Sequence, residues 1–435
     1  MVSTLSAWLC RFAPRRHHLV LLHRWTGLAI AFFLLVACLT GSLLSFEEEL
    51  DTWLAPELHL AQPAPGQAAT AMLDPYQLRA RVERALGPQA QVNQLILHPQ
   101  PGRTVRFIAE PALDPASGKP YRLSYDEVFA NPYDGNIQGV RDRNAISLRP
   151  AQLMPFLFKV HHSMALPRVP GALLMGIVAL LWTLDCFVGM ILTWPRARPF
   201  LVKWKPAWLV KWQAGFYRVN LDLHRACGLW LWMMLLLIAW SSVMFNLRDQ
   251  IYLPVMSQIL PFDTSWRGRP PLPRPLAQPP LEWPQAHAMA RAAMARFAQE
   301  RGLSIDFEEK LSMDRRRGLY AYMVHSNADI RSDAGNTGLL IDPATGDIRG
   351  HWLPQGDRSG NTFSNWIGAL HMGQVFGLPW RIFLAVLGVL VSVLTVTGIV
   401  IWWKKRAARA PRPVRAAVSA RGTGGSLPGH RGSGS

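Results

Sequence analysis

The chain has 435 residues, half of them hydrophobic and only 17% charged, with 18 Trp against 8 Tyr. Its length allows two or three domains of about 150 residues each, and its apolar share excludes a disordered chain. The formal net charge of +18 suits a nucleic-acid binder, a membrane-surface protein, or a membrane protein with basic loops on one side.

The order of residues along the chain decides between these. Residues 1–24 hold Arg11, Arg15, Arg16 and Arg24 and no acid, and Trp25–Phe46 follows with no Asp, Glu, Lys or Arg. About 20 apolar helical residues cross a hydrocarbon core of ~30 Å, so this is the first predicted span. It exceeds a signal-peptide core and is read as a retained anchor. A long loop, 47–168, leads to the second predicted span, 169–195, which carries a single acid, Asp185. A short basic loop, 196–225, precedes the third, 226–247, and a second long loop, 248–381, precedes the fourth, 382–403. The basic tail, 404–435, is rich in Arg, Gly and Ser and reads as disordered. The first segment, the short loop and the tail together carry a net +18, the whole formal charge. Positive-inside bias then places both termini and the short loop in the cytoplasm and both long loops outside. The basic charge is therefore membrane topology, and no nucleic-acid partner is expected.

Each long loop shows a helical pattern followed by strands. Pro75–Leu86 and Trp283–Arg301 have helix-like spacing, and Thr104–Ile108 and Tyr320–Val324 are β-type runs. Asn131–Gly139 and Asp342–Gly350 each read as strand–turn–strand, with Gly135 and Gly346 at the turn. A proline-rich stretch, Pro261–Pro284, reads as an extended lead-in to the second domain. In the short loop, Trp204, Trp208 and Trp212 predict an interfacial helix. The expected fold is thus membrane α-helical, with four transmembrane helices and two external α+β domains.

The chain reads as a duplication. His23-Arg24-Trp25-Thr26-Gly27-Leu28 repeats 201 residues later as His224-Arg225-Ala226-Cys227-Gly228-Leu229. At an offset of 209, His162 falls on His371, Pro170 on Pro379, Gly189 on Gly398 and Trp194 on Trp403, without a gap. Each half starts inside, so the halves are expected to be parallel repeats related by an axis along the membrane normal.

Among 13 histidines, only His23, His162, His224 and His371 occupy duplicated positions beside spans. The duplication makes two pairs, one per membrane face. Two neutral imidazoles approaching from opposite sides are what six-coordinate haem iron requires, and a bundle core is a usual place for it. The bland alternative is four interfacial histidines serving as polar anchors. His161 is a second candidate beside His162, although the repeat maps it onto Leu370. Arg24 and Arg225 follow the inner histidines and are candidates for neutralising haem propionates, or plain positive-inside anchors. Asp185 is either a partner to a ligating histidine or to a quinol proton, or a protonated acid bonded to a neighbouring helix. Cys10, Cys38, Cys186 and Cys227 lie in or beside the spans, which leaves no disulfide framework outside. No C-x-x-C-H motif is present, so haem, if bound, is non-covalent b-type.

The run Leu370–Arg406, the run Lys159–Arg196 and both H-R-x-x-G-L segments resemble the PepSY-associated transmembrane-helix family. That family includes bacterial inner-membrane ferric-siderophore reductases with two membrane haems. The resemblance implies PepSY-like periplasmic domains, axial ligands at His23, His162, His224 and His371, and a role in iron uptake. The cytoplasmic segments are too short for a nucleotide-binding domain, so no flavin or NAD domain is expected in this chain. Electrons would come from membrane quinol or a separate cytoplasmic reductase and leave to an external ferric chelate. The alternatives are an iron or siderophore transporter, and a membrane-tethered binding or regulatory module without redox activity.

Overall fold

The computed structural model describes residues 15–409. Cys10, Arg11 and the tail beyond Arg409, expected to be disordered, lie outside the described residues.

Three helices are long and apolar enough to cross a membrane: α1 (Arg16–Leu44), α5 (Arg168–Thr193) and α10 (Gly377–Arg409). The stretch predicted as a span at 226–247 lies in two helices, α6 (Phe216–Trp230) and α7 (Trp232–Asn246), which are bent by 67° and together are long and apolar enough to cross as one broken span. Leu231 sits at the break with φ −94° and ψ −1°, which flattens the turn. Trp232, the next residue, donates its indole N–H to the Cys186 carbonyl of α5 at 2.9 Å and fixes the new direction. The short loop also departs from expectation. Helix ends at Trp204, and Lys205–Trp208 is a 3-10 turn containing Pro206, so Trp212 leaves the shared face.

Outside these helices lie two antiparallel sheets. The first runs β1–β3–β4–β5, built from β1 (Ala90–Val92), β3 (Val105–Pro111), β4 (Glu127–Ala130) and β5 (Ile137–Arg141). Helix α3 (Pro75–Leu86) seats Leu78 and Val82 on Val92, Val105, Phe107 and Val128. The second runs β2–β6–β7–β8–β9, with β2 (Gln94–Ile96), β6 (Ile305–Asp314), β7 (Leu319–Ser326), β8 (Thr337–Ile341) and β9 (Ile348–Trp352). Helix α8 (Trp283–Arg301) covers it, its Ala286, Ala290 and Ala293 buried against the strands. The two expected turns are present between β4 and β5 and between β8 and β9. Gly135 and Gly346 adopt φ +75° and +72°, a region that favours glycine.

The two sheet regions are not independent. Strand β2 (Gln94–Ile96) comes from the first long loop yet forms the edge of the second sheet, pairing Leu95 with Leu311 on β6. Asn93 Oδ1 accepts from Arg315 Nε at 2.6 Å, Tyr76 Oη lies 2.6 Å from His287 Nδ1, and the Arg79 guanidinium stacks 4.3 Å over the Trp283 ring. A short helix α2 (Glu47–Leu54) continues from α1 and is tied to the first sheet by a buried ion cluster. There Arg141 donates to both Asp51 and Glu127, each bond at 2.8 Å. Helices α4 (Pro150–Ser163) and α9 (Ser359–His371) carry the chain from each sheet back to α5 and α10.

Candidate functional site

On α1, His23, Gly27, Ile30 and Leu34 recur at helical spacing and line one cavity of about 900 Å³. His224 and Gly228 of α6 face it from the other side, with Asp185 of α5 and Gly398 of α10. A Cβ at Gly27 or Gly228 would meet nothing within 4 Å, so both glycines hold the space beside their histidines open. A Cβ at Gly398 would stand 3.1 Å from the His224 ring, and one at Gly189 3.4 Å from the His23 ring. These repeated glycines therefore make room for the imidazoles. The His23 and His224 ring centroids are 6.0 Å apart.

A second cavity of about 390 Å³ is lined by His161, His162 and His371. Both volumes fall within the roughly 300–1,000 Å³ usual for ligand pockets. Leu34, Trp182, Leu235 and Val391 line both cavities, so a single layer of side chains divides them. The structure faces His371 with His161, their centroids 6.5 Å apart, and not with His162. The His162 ring instead stacks on Phe158, with centroids 5.9 Å apart and planes at 9°.

The sequence register chose the other histidine for a local reason. Pro170 comes nine positions after His161, but Pro379 only eight after His371. Met164 and Ala165, both with left-handed φ (53° and 57°), take up the extra residue after α4. A gapless alignment anchored on the apolar helices therefore slips by one at the histidine.

All four facing histidines share one hydrogen-bonding scheme. His23 Nδ1 lies 2.9 Å from Asp185 Oδ1. His224 Nδ1 meets the Leu394 carbonyl and Thr397 Oγ1, both at 3.1 Å. His161 Nδ1 meets the Ala37 carbonyl at 2.9 Å and Thr40 Oγ1 at 3.2 Å. His371 Nδ1 meets Ser241 Oγ at 2.7 Å, and that hydroxyl already donates to the Leu237 carbonyl. Carbonyls and carboxylates only accept, so each Nδ1 carries the proton and each Nε2 presents a lone pair. No Nε2 of the four has a hydrogen-bond partner among the described residues. This is the tautomer that a metal-ligating imidazole needs. A metal–nitrogen bond of about 2 Å on each side, plus a ring radius of about 1 Å, separates two ligating centroids by roughly 6 Å. Both pairs meet that spacing, so the residues fit a six-coordinate haem iron between them.

Thr40 and Ser241 were missed in the sequence. They lie 201 residues apart, the offset that relates His23 to His224, and a hydroxyl at both positions was the available signal. Arg24 and Arg225 both line the first cavity, together with Arg16, Lys405 and Arg406. Arg225 Nη2 is committed to Asp222 Oδ1 at 2.9 Å and to the Pro206 carbonyl at 2.7 Å. Cys38, Cys186 and Cys227 are free thiols.

A separate cluster lies outside the helical bundle, where donor atoms of Asp263, His351 and Asp357 stand within 4.8 Å of one another. His351 Nε2 is 3.1 Å from Asp357 Oδ2, and Arg301 donates to the same carboxylate at 3.0 Å. Burial pushes the Asp357 carboxyl up, but the Arg301 and His351 hydrogen bonds hold it below its ordinary range. These partners engage one another and tie the proline-rich stretch to β9 and the start of α9.

A comparison with curated proteins finds no match. Residues 20–405 match the family described as the PepSY-associated TM region, and the chain belongs to that family, as a membrane protein combining apolar helices with sheet regions.

Proposed function

We propose that this chain is a di-haem electron-transfer protein of the bacterial inner membrane that reduces an external ferric chelate. The observation that carries this reading is the matched pair of facing imidazoles, each with Nδ1–H committed and Nε2 free. His23 and His224 hold the inner group, and His161 and His371 the outer one. Bound there, b-type haem would supply one-electron chemistry, and two histidines held at each site would favour electron transfer over oxygen chemistry. On the basic rim of the inner cavity Arg24 would neutralise the group's carboxylates, whereas Arg225 is already paired with Asp222.

In this reading the bent pair α6–α7 counts as one span, which gives four, arranged as two parallel repeats. The sheets lie in the periplasm as PepSY-like domains joined through β2. Membrane quinol or a separate cytoplasmic reductase supplies the electrons. The acceptor is ferric siderophore or another ferric chelate. One electron lowers the iron's charge, weakens its hold on hard oxygen donors and releases Fe(II).

Purified protein should carry about two non-covalent haems per chain, one for each imidazole pair, as read by pyridine haemochrome assay against protein concentration. A ratio near zero rejects the redox reading and leaves a membrane-tethered binding module. Topology gives a second check. Reporter fusions after Val210 and Ala410 should read cytoplasmic, and those near Glu110 and Lys310 periplasmic. A reversed pair would undo the outward direction of delivery.

A further inference from the structure

We infer that Asp185 lowers the reduction potential of the inner haem site, through its hydrogen bond to the Nδ1–H of His23. This rests on the di-haem reading and adds a direction to it.

The four imidazoles are equivalent in geometry but not in the group that accepts from Nδ1. Three meet neutral acceptors: the Leu394 carbonyl with Thr397, the Ala37 carbonyl with Thr40, and the Ser241 hydroxyl. The fourth, His23, meets a carboxylate at 2.9 Å. The asymmetry is local to one position, because Leu394 stands 209 residues after Asp185, at the repeat offset of the flanking α5 and α10 residues. In the first half a side-chain carboxylate holds the histidine, and in the second half a main-chain carbonyl does.

The chemistry of that difference has a fixed sign. A carboxylate draws the Nδ1 proton toward itself, which raises electron density at Nε2 and strengthens it as a donor to the more oxidised iron. Its negative charge, buried on α5 with Asp185 only 9% exposed, also favours the ferric form over the ferrous one by one unit of charge. Both effects lower the reduction potential of the site between His23 and His224. The site between His161 and His371 lacks either contribution among its described hydrogen bonds. Asp185 is thus a positioning residue that acts through His23, and its contribution favours electron flow from the inner site to the outer one. A carboxylate inside a span is costly. A purely orienting role would be served as well by an amide.

The test is a redox titration of full-length Asp185→Asn, followed by haem absorbance. An Asn Oδ1 accepts the same bond without the charge. In a His371→Ala background the inner haem is the one retained, so its potential is read alone. Asp185→Asn should keep that haem and shift its reduction equilibrium about tenfold toward the ferrous form, 59 mV for one electron. The outer haem of the single variant should keep the wild-type value. An unchanged inner potential at full haem content overturns the proposal and leaves Asp185 a mere orienting group. If Asp185→Asn sheds the inner haem, Asp185→Glu decides. Retention at the wild-type potential supports the role of the charge, whereas loss there too overturns it. Wild-type protein without haem overturns the di-haem reading itself, which is a different result from either.

Discussion

His161→Ala and His371→Ala should each reduce haem content from about two per chain to about one, while His162→Ala should leave both haems in place. His161 and His371 face each other across the outer cavity with Nδ1–H anchored, whereas His162 lies against Phe158. Removing one strong-field imidazole leaves a five-coordinate or water-bound iron at best, visible as a changed or missing band in the reduced spectrum. Delivery to an external ferric chelate should collapse in both variants although the protein still inserts. His224→Ala should do the converse, sparing the outer haem and removing its supply. His351→Ala, whose ring belongs to the Asp263–Asp357 cluster, should keep wild-type haem content. Equal, mild effects of His161→Ala, His371→Ala and His351→Ala would mean that the cavity histidines are only polar anchors.

Arg141→Ala should destabilise the sheet region by about 3–5 kcal/mol, the usual cost of removing one partner from a buried ion pair. Arg141 donates to Asp51 on α2 and to Glu127 on β4, and Glu127 is fully buried. Its loss leaves Asp51 with His59 at 3.1 Å and the buried Glu127 with only the longer contacts of Arg106 and Arg143, at 3.3 and 3.6 Å. Thermal unfolding followed by far-ultraviolet dichroism in detergent reads the loss. The pH dependence has a definite sign. Burial pushes the Asp51 carboxyl up, but hydrogen bonds from His59 and Arg141 outweigh it and hold the group below its ordinary range. A depressed carboxylate contributes stability that is present above its unfolded pKa and lost as pH falls through the folded one. The gap between wild type and Arg141→Ala should therefore narrow below about pH 4. A gap that stays constant into acid would show that Arg141 acts by packing alone.

Much of this arrangement is legible in the sequence because it depends on local periodicity. The apolar runs mark α1, α5 and α10, and the spacing around Pro75 and Trp283 predicts α3 and α8 with their observed bounds. Three of the four facing histidines follow from internal offsets. What failed depended on contacts the offsets do not carry. The bend at Leu231 is fixed by a bond from Trp232 to another helix, so hydropathy alone reads through it. His161 was ranked second because one inserted residue after α4 shifts the register. A ligating histidine is one of the partners the sequence offers Asp185, but which one is not legible, since His23 lies 162 residues away. Strand β2 is three residues long and pairs across more than two hundred, which no window along the chain detects.

That strand has a consequence for how the protein is made. The first sheet, β1–β3–β4–β5, is complete once the chain has been synthesised to Arg141. The second cannot close its edge without Gln94–Ile96, which must wait for β6. At about 5–20 residues per second, synthesis of the intervening chain takes roughly ten to forty seconds. Throughout that interval β2 presents unpaired main-chain groups to the periplasmic folding machinery in the proposed topology, a state open to wrong pairing. Assembly is therefore ordered: the first sheet can close early, whereas the second needs a strand that the early half supplies. Halves expressed as separate polypeptides should obey the same order, with the late half folded and protease-resistant only where the early one is already in the membrane.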